Sequence, residues 1–201
     1  MDFFTLAILI TVALYFFKFV DDRARITLLA SYLGKYQIEK LMETLTQGYM
    51  RALGENEPQR RDQVWRQMEG TEARLAEQFG KFSTDFQKVQ EPDALVSTLP
   101  VSFPFARKLL PHLSFDMRKA LAIHARGITL AAEQTDDGDH KNRAFTLSAE
   151  MLLMQHSCHW FCKSKGIADA RTVVRHKTTH DQLVASVSAA TRKAYLELLR
   201  R

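Results

Sequence analysis

Two cysteines and two histidines in the last third of the chain have the spacing of metal ligands. Cys158 and Cys162 are four residues apart, and His176 and His180 repeat that spacing further along the chain. Side chains four residues apart share one face of a helix, and thiolate and imidazole are usual ligands of tetrahedral zinc. If the chain folds back around Asp169, each cysteine faces one histidine. The pattern therefore predicts a structural zinc site formed by these four residues.

An alternative without metal remains open for the same cysteines. Cysteine is among the most buried residue types, and neighbours such as Trp160 and Phe161 favour a core position. His156 and His159 are substitute ligands, so the ligand set is also open. The spacing resembles that of a C2H2 zinc finger, but these cysteines lie on a predicted helix instead of a β-hairpin. The resemblance therefore does not imply DNA binding.

Two further arrangements are typical of enzymes, and neither is complete. His180 and Asp181 form the dipeptide of a metal phosphohydrolase, with His124 upstream, but no aspartate follows Asp181 to finish such a site. Cys158 beside His159 suggests a thiol nucleophile, yet neighbours in a helix point about 100° apart. The chain also lacks a glycine-rich phosphate loop, a G-x-S-x-G motif and an H-E-x-x-H motif. We therefore expect no catalytic residues, and a binding or structural protein instead of an enzyme.

The elements that must position these residues begin with an apolar run at residues 3–20, FFTLAILITVALYFFKFV. Residues 3–17 carry no charge. A helix of this length rises about 27 Å, near the lower limit for crossing the hydrocarbon core of a bilayer. The run lacks the basic start and the cleavage site of a secretory signal. Residues 1–22 are therefore predicted to be a retained transmembrane signal anchor, with a buried core helix as the alternative.

Basic residues after the apolar run predict its orientation. Lys18, Arg23 and Arg25 follow the run, whereas Met1 and Asp2 precede it. Because lysine and arginine concentrate on the cytoplasmic side of single spans, we expect the N-terminus outside and the remaining domain in the cytoplasm. A bacterial inner membrane is the default expectation. The few cysteines form no disulfide framework, and reduced thiols suit this location.

The composition predicts an all-α fold. Only 8 Gly and 5 Pro occur in 201 residues, and strong helix formers dominate. We expect an N-terminal transmembrane helix followed by a cytoplasmic helical bundle, which consists of a helical hairpin and C-terminal helices.

Residues 23–90 predict a helical hairpin. Its first helix is expected to continue the anchor as a stalk to residue 53, and Gly34 is expected to interrupt this helix weakly if at all. Gly54 and Pro58 mark the turn before the second helix. That helix carries a heptad-like seam, which needs a facing helix. The first helix is the expected partner, and a homodimeric coiled coil is the alternative. The seam consists of Trp65, Met68, Leu75, Phe79, Phe82 and Phe86.

Residues 91–113 hold four of the five prolines and predict an irregular connector with one helical turn near residues 105–110. Their apolar side chains favour packing across the neighbouring helices, with a docking groove for a partner as the alternative. Residues 114–201 predict a basic helical domain. Its helices are expected from Ser114 to about residue 134, over residues 143–165, and from between residues 169 and 179 to the end.

Two features of this last domain bear on ligands. The acidic turn that holds Asp136, Asp137 and Asp139 lacks the spacing of a calcium loop, so we predict a solvated loop. Residues 141–201 contain 11 Lys and Arg against 4 Asp and Glu. This excess predicts a surface for anionic lipid or an acidic protein, with nucleic acid ranked below them and a solvated helix face as the alternative. The surface consists of Lys163, Lys165, Arg171, Arg175, Lys177, Arg192 and Lys193.

These observations together predict a single-pass, membrane-anchored helical protein that acts as an assembly, scaffold or regulatory interaction subunit of a membrane-associated complex. The expected partners are membrane lipid and a protein, a second copy of the chain included. No cofactor is expected apart from the hypothetical zinc. The alternatives are a membrane-tethered zinc protein or hydrolase, and a binder of anionic lipid or nucleic acid through the basic C-terminal third.

Overall fold

The computed structural model of the chain describes residues 2–100, 103–133 and 140–200. The protein is 82% helix and 3% strand, which confirms the expectation of a mostly helical fold. The strands form one antiparallel pair that the sequence analysis did not predict.

The first helix, α1 (Phe3–Leu33), joins the apolar run to a more polar second half in one element. Residues 3–33 contain neither glycine nor proline, so no helix breaker occurs before Gly34. The chain turns at residues 34–37. The prediction of an unbroken stalk to residue 53 is therefore wrong, because the second half of that stalk is a separate helix.

α2 (Ile38–Gly54) and α3 (Pro58–Phe86) form the predicted hairpin. Tyr36, just before α2, donates a hydrogen bond of 2.6 Å to Asp85 at the end of α3. The start of α2 therefore lies beside the end of α3, and the two helices are antiparallel. The same bond holds the chain in the turn that ends α1.

The heptad-like seam of α3 is buried within its own chain. Its members are at most 6% exposed. A Cβ at Gly48 of α2 would lie 2.0 Å from the Sδ of Met68, so glycine allows the two helices to approach closely. The seam of α3 therefore packs against α2 of the same chain, and it needs no second copy of the chain to be buried.

The connector was expected to be irregular apart from one helical turn, but it folds into several short elements. They are α4 (Glu91–Ala94), β1 (Leu95–Ser97), α5 (Ala106–Leu109), a 3₁₀ turn (Pro111–Leu113) and β2 (Ser114–Asp116). The helical turn expected near residues 105–110 is confirmed as α5.

The two strands pair antiparallel, with Val96 opposite Phe115. Ser114 therefore lies in β2, and the prediction that the next helix begins at Ser114 with this residue as its N-cap is wrong. Asp116 takes that role, because its side chain accepts a hydrogen bond of 2.9 Å from the backbone amide of Arg118.

α6 (Met117–Ala132) and α7 (His140–Cys162) are the two longest helices after the connector. The prediction that α7 extends to residue 165 is wrong by three residues. Ser164 caps the next helix by accepting a bond from the amide of Ile167, and this ends α7 before Ser164.

The single last helix of the prediction is wrong, because three helices replace it. They are α8 (Lys165–His176), α9 (His180–Ser186) and α10 (Ala189–Leu199). Lys177 ends α8 in a left-handed conformation with φ 54°, and Thr179 opens α9 with a capping box. Ser188 caps α10. These breaks use threonine, lysine and serine, so no glycine or proline marks them in the sequence.

The main hydrophobic core includes buried side chains from both sides of the connector. It extends from Leu29 on α1 to Ala168 on α8 and includes the phenylalanines of α3. A smaller core joins α7 to α9 and α10 around Tyr195. The division of the chain at residues 22, 90 and 113 stays an interpretation of the sequence.

Candidate functional site

Two acidic residues of α1 are buried directly after the apolar run. Asp21 and Asp22 are each 7% exposed. Because a carboxylate loses its hydration on burial, it needs a charged or hydrogen-bonded partner. Arg107 on α5 supplies one, since its Nη1 lies 2.8 Å from both carboxylate oxygens of Asp21. The two residues are 86 positions apart in the sequence, so this ion pair attaches α1 to the connector.

Asp22 has two cationic partners. Lys18, one turn earlier on α1, binds Oδ1 of Asp22. The Nζ of Lys163, just after α7, lies 3.2 Å from Oδ2 of the same carboxylate. The second pair spans 141 positions and attaches α1 to the end of α7.

Arg25 makes the third attachment. Its guanidinium donates a hydrogen bond of 3.2 Å to the carbonyl of Leu95 on β1 and lies 4.6 Å from the ring centroid of Phe161 on α7. One turn further, Leu29 enters the main core. We call Asp21, Asp22, Arg25, Arg107 and Lys163 the junction cluster.

The junction cluster restricts how α1 can move relative to the domain. Charged groups this far from water are costly without their partners, and removing one partner of a buried ion pair typically costs about 3–5 kcal/mol. The cluster attaches α1 to β1, α5 and the end of α7 through residues 21–25, which is little more than one helical turn. The helix therefore enters the domain as a packed element and not through a flexible linker.

The apolar half of α1 is exposed, in contrast to the buried junction residues that follow it. Its most apolar window has a mean hydropathy of 2.2, and 0% of that window is buried. Among the described residues, α1 is the one helix long and apolar enough to cross a membrane. A core helix buries its apolar side chains, so this exposure argues against the core-helix alternative.

The predicted zinc ligands do not form one cluster. Cys158 is buried, with its Sγ 3.8 Å from the Sδ of Met154, and burial raises the pKa of its thiol. Cys162 is partly exposed, and burial raises the pKa of its thiol to about 11. His176 is exposed at the end of α8. Among the described residues, no group of three or more His, Cys, Asp and Glu side chains is arranged to hold a metal ion.

The fold-back predicted around Asp169 is wrong, and this separates the ligand pairs. The chain turns at residues 163–164, so Asp169 lies inside α8. His180 instead packs against His156, with 4.5 Å between ring centroids. Positions 156 and 158 are about 200° apart around a helix, so His180 and Cys158 contact different faces of α7. The zinc-site hypothesis remains untested, without support from the arrangement of these four residues.

A histidine cluster occupies the interior of the C-terminal half, and we define it as His124, His156 and His180. Nε2 of His156 lies 2.8 Å from Oδ1 of Asp169, and Lys165 binds the other oxygen of that carboxylate at 2.8 Å. Burial lowers the pKa of His156 to about 4, although Asp169 acts in the opposite direction. His156 is therefore neutral near pH 7.

His124 is completely buried on α6. Its Nε2 lies 2.9 Å from the hydroxyl oxygen of Ser157, which in turn lies 3.3 Å from the hydroxyl of Tyr195. Burial lowers the pKa of His124 to about 3. Each histidine of the cluster keeps one buried ring nitrogen without a hydrogen-bond partner in the described part of the chain. Burial also lowers the pKa of His180. Because burial disfavours the charged form of each ring, protonation of these histidines is expected to destabilise the fold.

The two enzyme-like arrangements are not assembled as catalytic sites. Asp181 is exposed, and its Oδ1 is 3.6 Å from Nδ1 of His180. His124 contacts Ser157 and Tyr195 instead of that dipeptide. The thiol of Cys158 has a raised pKa, whereas a nucleophilic thiol needs a lowered one.

The predicted basic surface divides into bound and exposed groups. Lys163 and Lys165 pair with Asp22 and Asp169. The guanidinium of Arg192 donates to carbonyls at the end of α9, including that of Ala185 at 2.8 Å. The remaining members are exposed, and these are Arg171, Arg175, Lys177 and Lys193. Their role as a binding surface stays a prediction.

Sequence reasoning did not identify the junction cluster. The positive-inside rule gives little weight to Asp21 and Asp22, and Arg107 lies in the segment that is predicted to be an irregular connector. Two adjacent acidic residues directly after an apolar run were an available signal, because such residues need partners near a membrane. The acidic turn with Asp136, Asp137 and Asp139 lies outside the described residues.

Comparison with known proteins gives no relative from which a function can be transferred. Neither a protein-family model, nor a curated protein, nor a solved structure matches the chain.

Proposed function

We propose that the protein is a single-pass membrane subunit that holds a helical interaction domain in a fixed orientation at the membrane surface. The observation that carries this proposal is the junction cluster, which joins an exposed apolar helix to the domain through buried ion pairs. A flexible tether needs no such cluster. The domain then serves as an assembly, scaffold or regulatory subunit for a partner protein.

The junction cluster also supports an anchor that is retained. Cleavage after the apolar run, as in a secretory signal, removes Asp21 and Asp22 from the domain or leaves them at a free end. Arg107, which is 6% exposed, then loses its buried partner. Because an unpaired buried charge is strongly destabilising, cleavage that removes Asp21 would weaken the folded domain, and this favours an anchor that stays attached.

The orientation follows from the distribution of basic residues. Lys18, Arg23 and Arg25 all follow the apolar run, which favours the cytoplasmic side for the domain. A bacterial inner membrane remains the working assignment. Protease added to intact and to opened membrane vesicles tests it, since the domain should be cut only on its own side.

A partner surface is offered by an apolar groove at the end of the domain far from the junction. The groove is about 27 Å along α7 from Lys163, at 1.5 Å per residue. Met50, Leu53 and Phe145 on its rim are 67%, 52% and 60% exposed. Single exposed apolar residues are ordinary, but a groove lined by several marks an interaction site. We call it the distal groove. Its apolar lining consists of Tyr49, Met50, Leu53, Trp65, Ala144 and Phe145, and Thr46, Lys141 and Ser148 complete the lining.

Crosslinking in native membranes tests the proposed partner binding. Met50→Asp combined with Phe145→Asp should abolish a specific crosslinked product that the parent protein gives. The matched control is Val174→Asp, which changes a side chain that is 69% exposed on α8 and should leave that product unchanged. A parent protein that is monomeric and gives no crosslinked product, or equal products from all variants, would contradict the proposal.

A second candidate function is binding of anionic lipid through α8. Arg171, Arg175 and Lys177 are exposed there beside the exposed Val173 and Val174. Each basic residue near an anionic membrane surface contributes about 1 kcal/mol. Because the anchor alone holds the full chain in vesicles, the readout is protection of α8 from added protease. Protection that neither requires anionic lipid nor weakens with added salt would count against this function.

A further inference from the structure

The connector exposes an apolar surface beside α1. Phe103 and Phe105 are each 39% exposed, Leu109 is 67% exposed and Leu113 is 37% exposed. Neighbouring residues of the same segment are buried, among them Arg107 at 6%. The segment therefore divides into one face that belongs to the core and another that presents large apolar side chains. We call Phe103, Phe105, Leu109 and Leu113 the connector surface.

The connector surface is continuous with the apolar half of α1. The ring of Phe105 lies 6.2 Å from the ring of Phe17, measured between centroids. Phe17 and Asp21 are four residues apart and share a face of α1. That face meets Phe105 through the ring contact and Arg107 through the ion pair. The contact between α1 and the connector thus has an apolar end within the apolar run and a charged end just beyond it.

The position of Phe17 fixes the depth of this contact. Phe17 lies three residues before Val20, which is about 4.5 Å inside the end of the apolar run. The run is short for a bilayer whose hydrocarbon core is about 30 Å thick, so little of it can remain in water. A side chain that touches Phe17 is therefore at the level of the acyl chains or the head groups when α1 spans the membrane.

The backbone of the connector supports the same arrangement. Phe105 has φ 59°, a left-handed conformation that costs an ordinary residue about 1–2 kcal/mol. Phe105 adopts this unfavourable conformation although its ring is not buried in the core, and the ring contacts Phe17 of α1. Arg107 brings its charge close to the same level, but Asp21 pairs with that charge at 2.8 Å. The segment consequently presents apolar groups to the membrane without an unpaired arginine.

We infer that the connector surface inserts into the interface of the bilayer that α1 spans, where it contacts the boundary between head groups and acyl chains. This inference depends on the membrane anchor of the proposed function and specifies how the domain meets the lipid. Apolar faces of interfacial segments sink about 5–10 Å into that boundary, which suits a short loop that carries two phenylalanines and two leucines. The domain is then held by two elements, a spanning helix and an inserted connector.

Tryptophan fluorescence in brominated lipid tests the inference on the full chain. Leu109→Trp reports the connector surface, Leu9→Trp reports the anchor, and Leu53→Trp is the matched control in the distal groove. All three leucines are more than half exposed, so the new ring has room. The native Trp65 and Trp160 are buried, and the parent protein in the same vesicles gives their contribution to the emission. The probes are phosphatidylcholine–phosphatidylglycerol vesicles whose acyl chains carry bromine near the glycerol end.

The expected result is an emission loss for Leu109→Trp at least about twofold larger than for Leu53→Trp, because a ring about 5–10 Å deep is within reach of these bromines. If Leu9→Trp is quenched and Leu109→Trp behaves like Leu53→Trp, the connector surface faces water or a protein and the inference is overturned, while the anchor stands. If Leu109→Trp is quenched and Leu9→Trp is not, the anchor fails and the connector surface keeps its lipid contact. Absence of quenching in both variants overturns both.

Discussion

The junction cluster and the histidine cluster both consist of polar groups that are buried in the protein interior. Burial removes the hydration of such groups, and the two clusters compensate for this loss in opposite ways. The junction cluster keeps full charges and pairs each carboxylate with a cation from a distant segment. In the histidine cluster, His124 and His156 are neutral near pH 7. Each of the three rings keeps one nitrogen without a partner in the described part of the chain. The first arrangement fixes the position of one element against others. The second makes the stability of the C-terminal half depend on pH.

The largest effect is expected from breaking the junction cluster. Arg107→Leu leaves Asp21 buried without its partner and should lower the free energy of unfolding by about 3–5 kcal/mol. Chemical denaturation of the full chain in detergent measures this change. The matched control is Arg171→Leu, which removes an exposed arginine and should change stability by less than about 0.5 kcal/mol. Equal, small effects of the two substitutions would show that the ion pair does not hold α1.

The next effect is acid sensitivity of the histidine cluster. The pKa of His156 is about 4 in the folded protein and that of His124 about 3, against 6.5 as the ordinary value. The unfolded chain therefore binds protons first, and stability should fall as the pH drops from about 6.5 towards 4, by about 2–3 kcal/mol per histidine as an upper value.

Other buried groups stabilise the folded protein as the pH falls and so oppose the effect of the histidines. The proper measurement is therefore the difference in pH-dependent stability between a variant and the parent protein. Burial raises the pKa of Glu72 and of Glu150, and these carboxyls favour the folded state as the pH falls. His156→Gln should flatten the loss of stability between pH 6.5 and pH 4 relative to the parent. His112→Gln, at an exposed position, should leave the pH profile as it is. An unchanged slope in His156→Gln would contradict a neutral, buried His156.

A smaller change in stability is expected at Cys158, which lies on the face of α7 away from His180. Cys158→Ala removes a buried sulfur and should cost about 1–2 kcal/mol through the cavity that it leaves. That cost should be the same with and without a chelator, because the thiol packs against Met154. About one equivalent of bound zinc, together with a loss of stability on chelation in the parent protein, would restore the four-ligand hypothesis.

The smallest effect concerns the start of α9, which presents His180 to the histidine cluster. Thr179→Ala removes the capping box with Gln182 and should cost about 1 kcal/mol. Thr178→Ala is the control, since the Thr178 hydroxyl bonds only the carbonyl of His176 among the described residues. Equal stability of both variants would mean that the cap contributes little to holding His180 in place.

The sequence predicts the elements better than their contacts. The apolar run, the hairpin turn between Gly54 and Pro58, and the helical turn of α5 follow from local composition and were recognised. The breaks around Lys177 and Ser188 were missed, because lysine and serine are compatible with a helix until a cap forms. The strand pair was missed since Val96 and Phe115 are joined only by the folded connector.

The candidate site was harder to predict because its partners are far apart in the sequence. The pairing of Asp21 with Arg107 has no local signal, and the fold decides it. The cysteine–histidine spacing is local and was easy to recognise, but it depends on where the chain turns. The turn at residues 163–164 places Asp169 of α8 beside His156. A second turn at residues 177–179 then brings His180 to His156, and the cysteines stay on another face of α7.

The most direct test of the account is a charge exchange between α1 and the connector. Asp21→Arg, Arg107→Asp and the double variant are compared with the parent by the free energy of unfolding of the full chain in one detergent. Each single variant places like charges together in a buried site and should be strongly destabilised. The double variant should recover stability, with a coupling free energy of at least about 1 kcal/mol. If the two single effects simply add in the double variant, Asp21 and Arg107 do not hold the apolar helix to the domain and the account is contradicted.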